Sequence, residues 1–300
     1  MNVVLTSTGE ANQYQERIID SFINESGRVL EYSIIGMGTP ILVFHGGHSN
    51  CNEEFGYEEL LEQGYSIITP SRAGYGNTDP LLGSDLQTAC HAYLTLLNQL
   101  NIERVHVIAI SAGGPSGIFF ASHYPERVRS LSLQSAVSKQ WLTSKDIEYK
   151  AARILFRPSL EKYTWRMISH LSNRFPKFIF KHMLPSFSKL PYTQVATQIN
   201  NDDIDMFRKM NNRQRSGHGF MIDLSQTEGI SKTDLQSIKC PTLILHSIND
   251  NAAPIDHAYY AHQNISISKL CILESWGHLL WLGQGSERMH DELIKFLINY

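Results

Sequence analysis

The chain has 300 residues, of which 42% are hydrophobic and 18% charged, as is typical of a globular protein with a substantial core. A formal net charge of −3 argues against nucleic acid or a membrane surface as a partner. The N-terminus lacks the features of a secretory signal, and no stretch has the roughly 18 apolar residues of a membrane helix. The cysteines form no Cys-x-x-Cys pair, which disfavours a disulfide framework or a zinc site, and they lie at Cys51, Cys90, Cys240 and Cys271. We therefore expect a cytoplasmic protein.

The first part of the chain alternates strand and helix patterns. Residues 28–35 alternate apolar and polar side chains as a half-exposed strand does, and the glycine-rich turn 36–40 follows. The continuous apolar run 41–44 is typical of a central strand covered on both faces. A helix is predicted at about 52–63 and a further strand at 66–69.

The same alternation continues to residue 134. A helix predicted at about 85–100 has Ser84 as its N-cap. Strand 104–110 leads directly into Ser111, and strand 128–134 closes the series. Strands and helices alternating at this spacing indicate parallel βαβ units, with helices covering the sheet.

The pattern changes between residues 137 and 236. Apolar strand runs give way to aromatic and basic amphipathic segments, which prolines divide into short helices at Pro158, Pro176, Pro185 and Pro191. A helical insertion between two sheet-forming segments is where a lid over an active site is expected. We therefore interpret residues 137–236 as a helical cap.

The strand pattern returns after the cap. Strands are predicted at 242–246 and 268–273, and a final helix at about 286–299. We expect one core domain, formed by residues 1–136 and 237–300.

Ser111 lies in the segment Ala-Ile-Ser-Ala-Gly-Gly (109–114), at the end of an apolar strand. A nucleophilic serine at a sharp strand-to-helix turn needs small neighbours, because the backbone there is strained and closely packed. The usual pattern is Gly-x-Ser-x-Gly, and Ala109 stands in place of the first glycine. Alanine is small enough for that position, so Ser111 is predicted to be a catalytic nucleophile.

The segment His45-Gly46-Gly47 directly follows the apolar run 41–44. A tetrahedral oxyanion needs two N–H donors aimed at one point. We expect one donor to be the N–H of Ala112, at the start of the helix after the nucleophile, and the other to be that of Gly47. His45 is expected to bond the backbone as a structural residue.

Asp250 follows the predicted strand 242–246, and His278 follows the predicted strand 268–273. Ser, Asp and His thus occur in this order, each beyond the C-terminal end of a strand, where sites form in open α/β sheets. This order predicts His278 as the base that activates Ser111, and Asp250 as its supporting acid. Glu274 is the alternative acid if Asp250 points away.

The segment Arg-Ala-Gly-Tyr-Gly (72–76) has the glycines of a phosphate loop but lacks the Lys-Ser/Thr pair that such a loop needs. Its glycines fit a tight turn, and we expect Arg72 to hold this turn by hydrogen bonds rather than to bind substrate. Potential metal ligands show no zinc-like spacing, so neither a metal nor an organic cofactor is predicted.

Five segments together resemble the block motifs of the α/β-hydrolase superfamily: FHGG, PSRAGYGNTD, AISAGGP, LILHSINDNAAP and SWGHLLWLG. The resemblance spans nearly the whole expected core domain. It implies an α/β-hydrolase fold, with an eight-stranded, mostly parallel sheet, helices on both faces and the cap inserted after the sixth strand. It singles out no closer family, because esterases, thioesterases, C–C bond hydrolases and aminopeptidases share these motifs.

The residues and the resemblance predict a serine hydrolase that cleaves a small-molecule ester or related acyl bond through an acyl-enzyme. A serine at the elbow argues against a dehalogenase or epoxide hydrolase, which use a carboxylate nucleophile. The same triad would also serve a C–C bond hydrolase, an aminopeptidase or a haloperoxidase-like perhydrolase. Outside the enzymes, the alternative is a ligand-binding receptor with little turnover.

Charge is distributed unevenly between the cap and the core. Residues 137–236 contain 16 Lys and Arg and 9 Asp and Glu, a formal charge of +7, which leaves −10 for the remainder. Attraction between these opposite charges would help the cap dock on the core. Alternatively, part of the charge faces the cleft and attracts a substrate that carries a carboxylate or phosphate. Arg213 and Arg215 are then the expected substrate contacts.

Overall fold

The computed structural model describes residues 17–143 and 145–300. Eight strands in these residues form one sheet: β1 (Ile18–Ile23), β2 (Val29–Ile35), β3 (Thr39–Phe44), β4 (Tyr65–Pro70), β5 (Val105–Ile110), β6 (Val128–Gln134), β7 (Thr242–Ser247) and β8 (Ser268–Leu273). Across the sheet their order is β1-β2-β4-β3-β5-β6-β7-β8. The pairs β1–β2 and β2–β4 are antiparallel, and the other neighbouring pairs are parallel. The eight-stranded, mostly parallel sheet predicted from the sequence is confirmed.

The described residues also form twelve α-helices: α1 (Glu58–Glu62), α2 (Leu86–Gln99), α3 (Gly114–His123), α4 (Ile147–Leu155), α5 (Glu161–Arg174), α6 (Pro176–Met183), α7 (Tyr192–Val195), α8 (Asn201–Arg213), α9 (Gly219–Gln226), α10 (Lys232–Ser237), α11 (Asp256–Asn264) and α12 (Ser286–Ile298). Helices α4 to α10 all lie between β6 and β7, so the helical insertion follows the sixth strand, as predicted. None of these helices is long and apolar enough to cross a membrane.

Helices cover both faces of the sheet. All six residues of β5 are buried, and neighbouring residues of a strand point to opposite faces. Val107 and Ala109 belong to an apolar cluster shared with α2, α3 and α11, whereas Ile108 and Ile110 belong to a second cluster shared with α1 and α12. Because β3 to β8 pair in parallel, their carboxyl ends meet at one edge of the sheet, where the following loops can form a site.

Two expectations about local structure are wrong, and one strand was not predicted. The helix expected at about 52–63 begins only at Glu58, because Gly56 adopts a left-handed conformation (φ 73°) that a helix excludes. The N-cap of α2 is Asp85 rather than Ser84: Asp85 has the extended backbone of a cap and accepts the N–H of Thr88 at 2.6 Å. The edge strand β1, Ile18–Ile23, has no counterpart among the predicted elements.

The helical insertion packs directly on the core. Phe180 and Phe207 belong to the same apolar cluster as Trp276, which follows β8. The carboxylate of Asp203 accepts the N–H of Gly283 at 2.9 Å. The division of the chain into a core domain and a cap stays a prediction, since the two share this apolar cluster.

Candidate active site

Ser111 lies at a strained turn directly after β5. Its φ of 51° places a non-glycine residue in the left-handed region. Only small residues fit around this turn, because a Cβ added at Gly113 would lie 2.2 Å from the carbonyl oxygen of Phe44. A Cβ added at Gly117 would lie 2.4 Å from that of Ala109. The missing side chain of Gly117 therefore leaves room for Ala109 at the position where the usual pattern has glycine.

The structure brings together the three residues predicted to form the triad. Nε2 of His278 lies 2.9 Å from Oγ of Ser111, and Nδ1 of His278 lies 2.7 Å from Oδ2 of Asp250. The backbone of His278 is held on both sides: its N–H donates to the carbonyl of Phe187, and its own carbonyl accepts the hydroxyl of Ser135. These contacts fix the imidazole between Ser111 and Asp250, which is the geometry that proton transfer from Ser111 would require.

Asp250 is fully buried, and its carboxylate accepts three hydrogen bonds. Oδ1 accepts the backbone N–H groups of Ala252 and Ala253 at 2.8 and 2.9 Å. Oδ2 accepts His278 and also lies 3.3 Å from Nε2 of His246. Burial alone would raise the pKa of Asp250, but the imidazoles of His278 and His246 lower it below its ordinary value. Asp250 is therefore ionised, whereas Glu274, the alternative acid, is exposed.

The two residues expected to form the oxyanion hole are neighbours in space. A Cβ added at Gly47 would lie 3.7 Å from the Cβ of Ala112, and one added at Gly46 would lie 3.4 Å from the Cβ of Ser111. Ala112 belongs to the short 3₁₀ turn that leads into α3. The oxyanion roles of Gly47 and Ala112 stay predictions, and their proximity to Ser111 is consistent with them.

Arg72 makes hydrogen bonds as expected, but they hold the neighbouring loop at His45 and Gly46 rather than its own turn at residues 72–76. Its backbone N–H donates to Nε2 of His45 at 3.0 Å, and its guanidinium donates to the carbonyls of His45 and Gly46 at 2.8 and 3.2 Å. Because Nε2 of His45 accepts a hydrogen bond, Nδ1 carries the proton and donates to the carbonyl of Gly46 at 2.7 Å. Burial, followed by the charge of Arg72, lowers the pKa of His45 well below its ordinary value, so the ring stays neutral. The structural role expected for His45 is confirmed.

His48 is a neighbour of the site that the sequence analysis missed. Its ring stacks on Phe220 with centroids 4.1 Å apart, and it also contacts Phe156. Nδ1 lies 2.7 Å from Oγ of Ser216, which also accepts the indole N–H of Trp165. Burial lowers the pKa of His48 to about 3, so the ring is neutral and combines an apolar face with a hydrogen-bonding edge. Its position directly after Gly47 was the available signal, but the aromatic partners lie far away in the sequence.

The two arginines expected to contact substrate are placed differently from each other. The guanidinium of Arg213 lies 3.0 Å from the carboxylate of Glu54 and 3.8 Å from that of Glu53. That of Arg215 is exposed and donates to the carbonyl of Gln214. Arg213 thus docks the insertion on the acidic segment at residues 53–54. A substrate role for either arginine stays a prediction.

The family model for the alpha/beta hydrolase fold matches residues 39–282. The chain therefore belongs to the α/β-hydrolase family. The uncharacterized hydrolase YcgS of Bacillus subtilis (strain 168) is 58% identical over 275 residues, which cover 92% of this chain and 97% of that protein. This similarity supports hydrolase activity.

Solved structures show the same fold. An alpha/beta hydrolase fold protein from Nakamurella multipartita superposes with a TM-score of 0.79 at 23% identity, covering 93% of this chain and 98% of that one. The esterase EaEST from Exiguobacterium antarcticum superposes with a TM-score of 0.66 at 22% identity, covering 92% and 98%. At these identities the likeness establishes the fold alone.

Proposed function

We propose that this protein is a serine hydrolase that cleaves small-molecule esters or related acyl bonds. One observation carries the proposal: an unbroken hydrogen-bond chain runs from Ser111 through His278 to Asp250, with the serine on a strained turn. Ordinary serines in strand-to-helix turns need neither the strain nor a histidine partner. Membership of the hydrolase family supports the proposal, and the esterase named above has the same fold.

The geometry fits acyl transfer in two steps. The hydroxyl of Ser111 donates its proton to Nε2 of His278 as its oxygen attacks the substrate carbonyl, and a bond from oxygen to carbon forms. The negative charge that develops on the carbonyl oxygen is stabilised by the N–H groups of Ala112 and Gly47. Protonated His278 then gives its proton to the leaving alkoxide, and the carbon–oxygen bond of the ester breaks. Water, activated by the same imidazole, hydrolyses the acyl-enzyme.

Asp250 supports this sequence because it is ionised. Its carboxylate accepts Nδ1–H of His278, which leaves Nε2 free to accept the serine proton. The same carboxylate stabilises the imidazolium that forms after the proton transfer. Since Asp250 is buried and accepts three hydrogen bonds, its side chain cannot turn away without losing them.

The proposal is tested by labelling and by turnover. A fluorophosphonate should modify Ser111 stoichiometrically, as seen by peptide mass spectrometry, and abolish hydrolysis of short p-nitrophenyl esters. Ser111→Ala should lower kcat by about 10⁶-fold. Ser122→Ala is the matched control, because Ser122 lies at the other end of α3 and bonds only neighbouring groups, so its activity should remain that of the wild type.

Two results would contradict the proposal. Labelling at another serine with Ser111 unmodified would remove the nucleophile. Turnover of a dienone by C–C cleavage without ester hydrolysis would leave the triad in place but replace the reaction.

A further inference from the structure

The peptide units on both sides of Gly47 are held by hydrogen bonds. The carbonyl of Gly46 and the N–H of Gly47 belong to the same trans peptide, so they point in opposite directions. Arg72 donates to that carbonyl at 3.2 Å. A hydrogen bond to the carbonyl oxygen therefore also sets the direction of the N–H of Gly47.

The following peptide is held by a tyrosine. The backbone N–H of His48 donates to the hydroxyl of Tyr75 at 3.3 Å, and this hydroxyl donates to Oδ2 of Asp223 at 2.6 Å. Burial and the Asp223 carboxylate raise the pKa of Tyr75 well above its ordinary value, so the hydroxyl keeps its proton. The two peptides that flank Gly47 are thus connected to two side chains from one turn, Arg72 and Tyr75.

Both side chains converge on one carboxylate of the insertion. Asp223 lies in α9 and accepts both terminal nitrogens of the Arg72 guanidinium, one of them at 2.8 Å. The pair is almost completely removed from water, since 3% of the Arg72 side chain and 2% of the Asp223 side chain are exposed. Removing one partner of such a pair leaves an uncompensated buried charge, so the guanidinium depends on Asp223 for its charge balance at this position.

Helix α9 is itself fixed to this turn. The N–H groups of His218 and Gly219 donate to the carbonyl of Gly74 at 3.0 and 3.1 Å. A Cβ added at Gly219 would lie 2.2 Å from the ring of Tyr75, so the start of α9 is in direct contact with that ring. The position of Asp223 relative to the loop at Gly47 is therefore determined by close packing.

We propose that Asp223 is a positioning residue for the reaction: through Arg72 and Tyr75 it fixes the orientation of the Gly47 N–H as an oxyanion donor. The helical insertion then completes the catalytic geometry of the core. This inference rests on the proposed serine hydrolase function. It concerns the transition state, because the N–H of Gly47 bonds most strongly to the oxygen that develops negative charge.

The experiment compares Asp223→Asn and Tyr75→Phe with the wild type by steady-state ester hydrolysis. Loss of a complete oxyanion donor costs about 10²–10³ in rate, so a loosened donor in Asp223→Asn should lower kcat by roughly 10- to 100-fold. KM should change little, because the ground-state carbonyl depends less on this donor. Tyr75→Phe, which keeps the ring, should lower kcat in the same way but less. Affinity for a trifluoromethyl ketone, whose adduct with Ser111 carries an oxyanion, should fall in parallel with kcat.

Asp203→Asn is the matched control. Asp203 is another buried carboxylate of the insertion and also bonds a core backbone N–H, that of Gly283, but none of its bonds involves the loop at Gly47. Its kcat should equal that of the wild type. An equal loss of kcat in Asp203→Asn would overturn the inference, because loosening of the insertion would then explain both variants.

Other outcomes separate this inference from the proposed function. If fluorophosphonate labels Ser111 and both Asp223→Asn and Tyr75→Phe keep the wild-type kcat, the hydrolase function stands and the inference fails. If Asp223→Asn does not fold, Tyr75→Phe provides the test: its kcat and its affinity for the trifluoromethyl ketone should fall together. Absence of labelling at Ser111 in the wild type would instead overturn the proposed function.

Discussion

The edge of the sheet and the helical insertion contribute to the candidate site in different ways. The sheet edge supplies the proposed catalytic residues: Ser111 follows β5, Asp250 follows β7 and His278 follows β8. The insertion supplies side chains that contact the loops around these residues: Phe220 lies beside Gly47, and Asp223 pairs with Arg72. The candidate catalytic residues are thus positioned by the ends of strands, whereas the side chains around them are positioned by contacts between distant parts of the chain.

The charges of the two regions show the same difference. The insertion carries +7 and the rest of the chain −10, and the pairing of Arg213 with Glu53 and Glu54 follows that imbalance. In the buried pair between Arg72 and Asp223 the charges are reversed: the core supplies the cation and the insertion supplies the anion. Net charge therefore indicates how surfaces attract, whereas the buried pair depends on local geometry.

The largest expected effect beyond the nucleophile itself tests the sheet edge. Asp250→Asn should lower kcat by about 10⁴, because the amide no longer selects the tautomer of His278 that leaves Nε2 unprotonated. Steady-state hydrolysis of a p-nitrophenyl ester measures this loss. Glu274→Gln is the control, and we expect it to keep wild-type activity because Glu274 is exposed. A larger loss in Glu274→Gln than in Asp250→Asn would transfer the acid role to Glu274.

The sequence predicted the sheet better than its surroundings. Strands 128–134 and 268–273 were predicted with their observed bounds, because apolar runs between polar turns define buried strands. The edge strand β1 was missed because most of its residues are exposed and its main support is backbone pairing with β2. The contacts made by His48 and Asp223 were missed because their partners are far away in the sequence.

A second prediction concerns the junction between the two regions. His257 in α11 accepts the N–H of Ser138, at the start of the insertion, on Nδ1 at 3.1 Å. Burial lowers the pKa of His257 to about 4 in the folded protein, whereas an unfolded histidine has a pKa of about 6.5. The unfolded chain therefore binds more protons between these values. The stability due to neutral His257 is complete above about pH 6.5 and is lost as pH falls towards the folded pKa.

His257→Gln should make the free energy of unfolding less dependent on pH between about 6.5 and 4, by up to about 3 kcal/mol over that range. Urea unfolding at several pH values measures this dependence. His91→Gln, at an exposed position of α2, should leave the wild-type dependence unchanged. If the dependence is the same in wild type and His257→Gln, protonation of His257 does not couple the core to the insertion.

The smallest expected effect concerns the two arginines of the insertion. Arg213 is paired with Glu54 and Glu53, and 24% of its side chain is exposed. A partly exposed pair of this kind contributes about 0–1 kcal/mol to stability. Arg213→Gln should therefore lower the free energy of unfolding by no more than about 1 kcal/mol. Arg215→Gln should leave it unchanged, since the Arg215 guanidinium bonds backbone carbonyls at an exposed position.

The same two variants show whether the charge of the insertion attracts substrate. The measurement is kcat/KM for matched esters with and without a distal carboxylate, at low and high salt. Because Arg213 is neutralised by its glutamates, Arg213→Gln should not change the ratio between the two esters. Arg215→Gln should reduce any preference for the anionic ester at low salt, and high salt should remove that preference, since the Debye length falls from about 30 Å at 0.01 M to about 3 Å at 1 M. Equal kcat/KM for both esters in the wild type at low salt would restrict the charge of the insertion to docking on the acidic core.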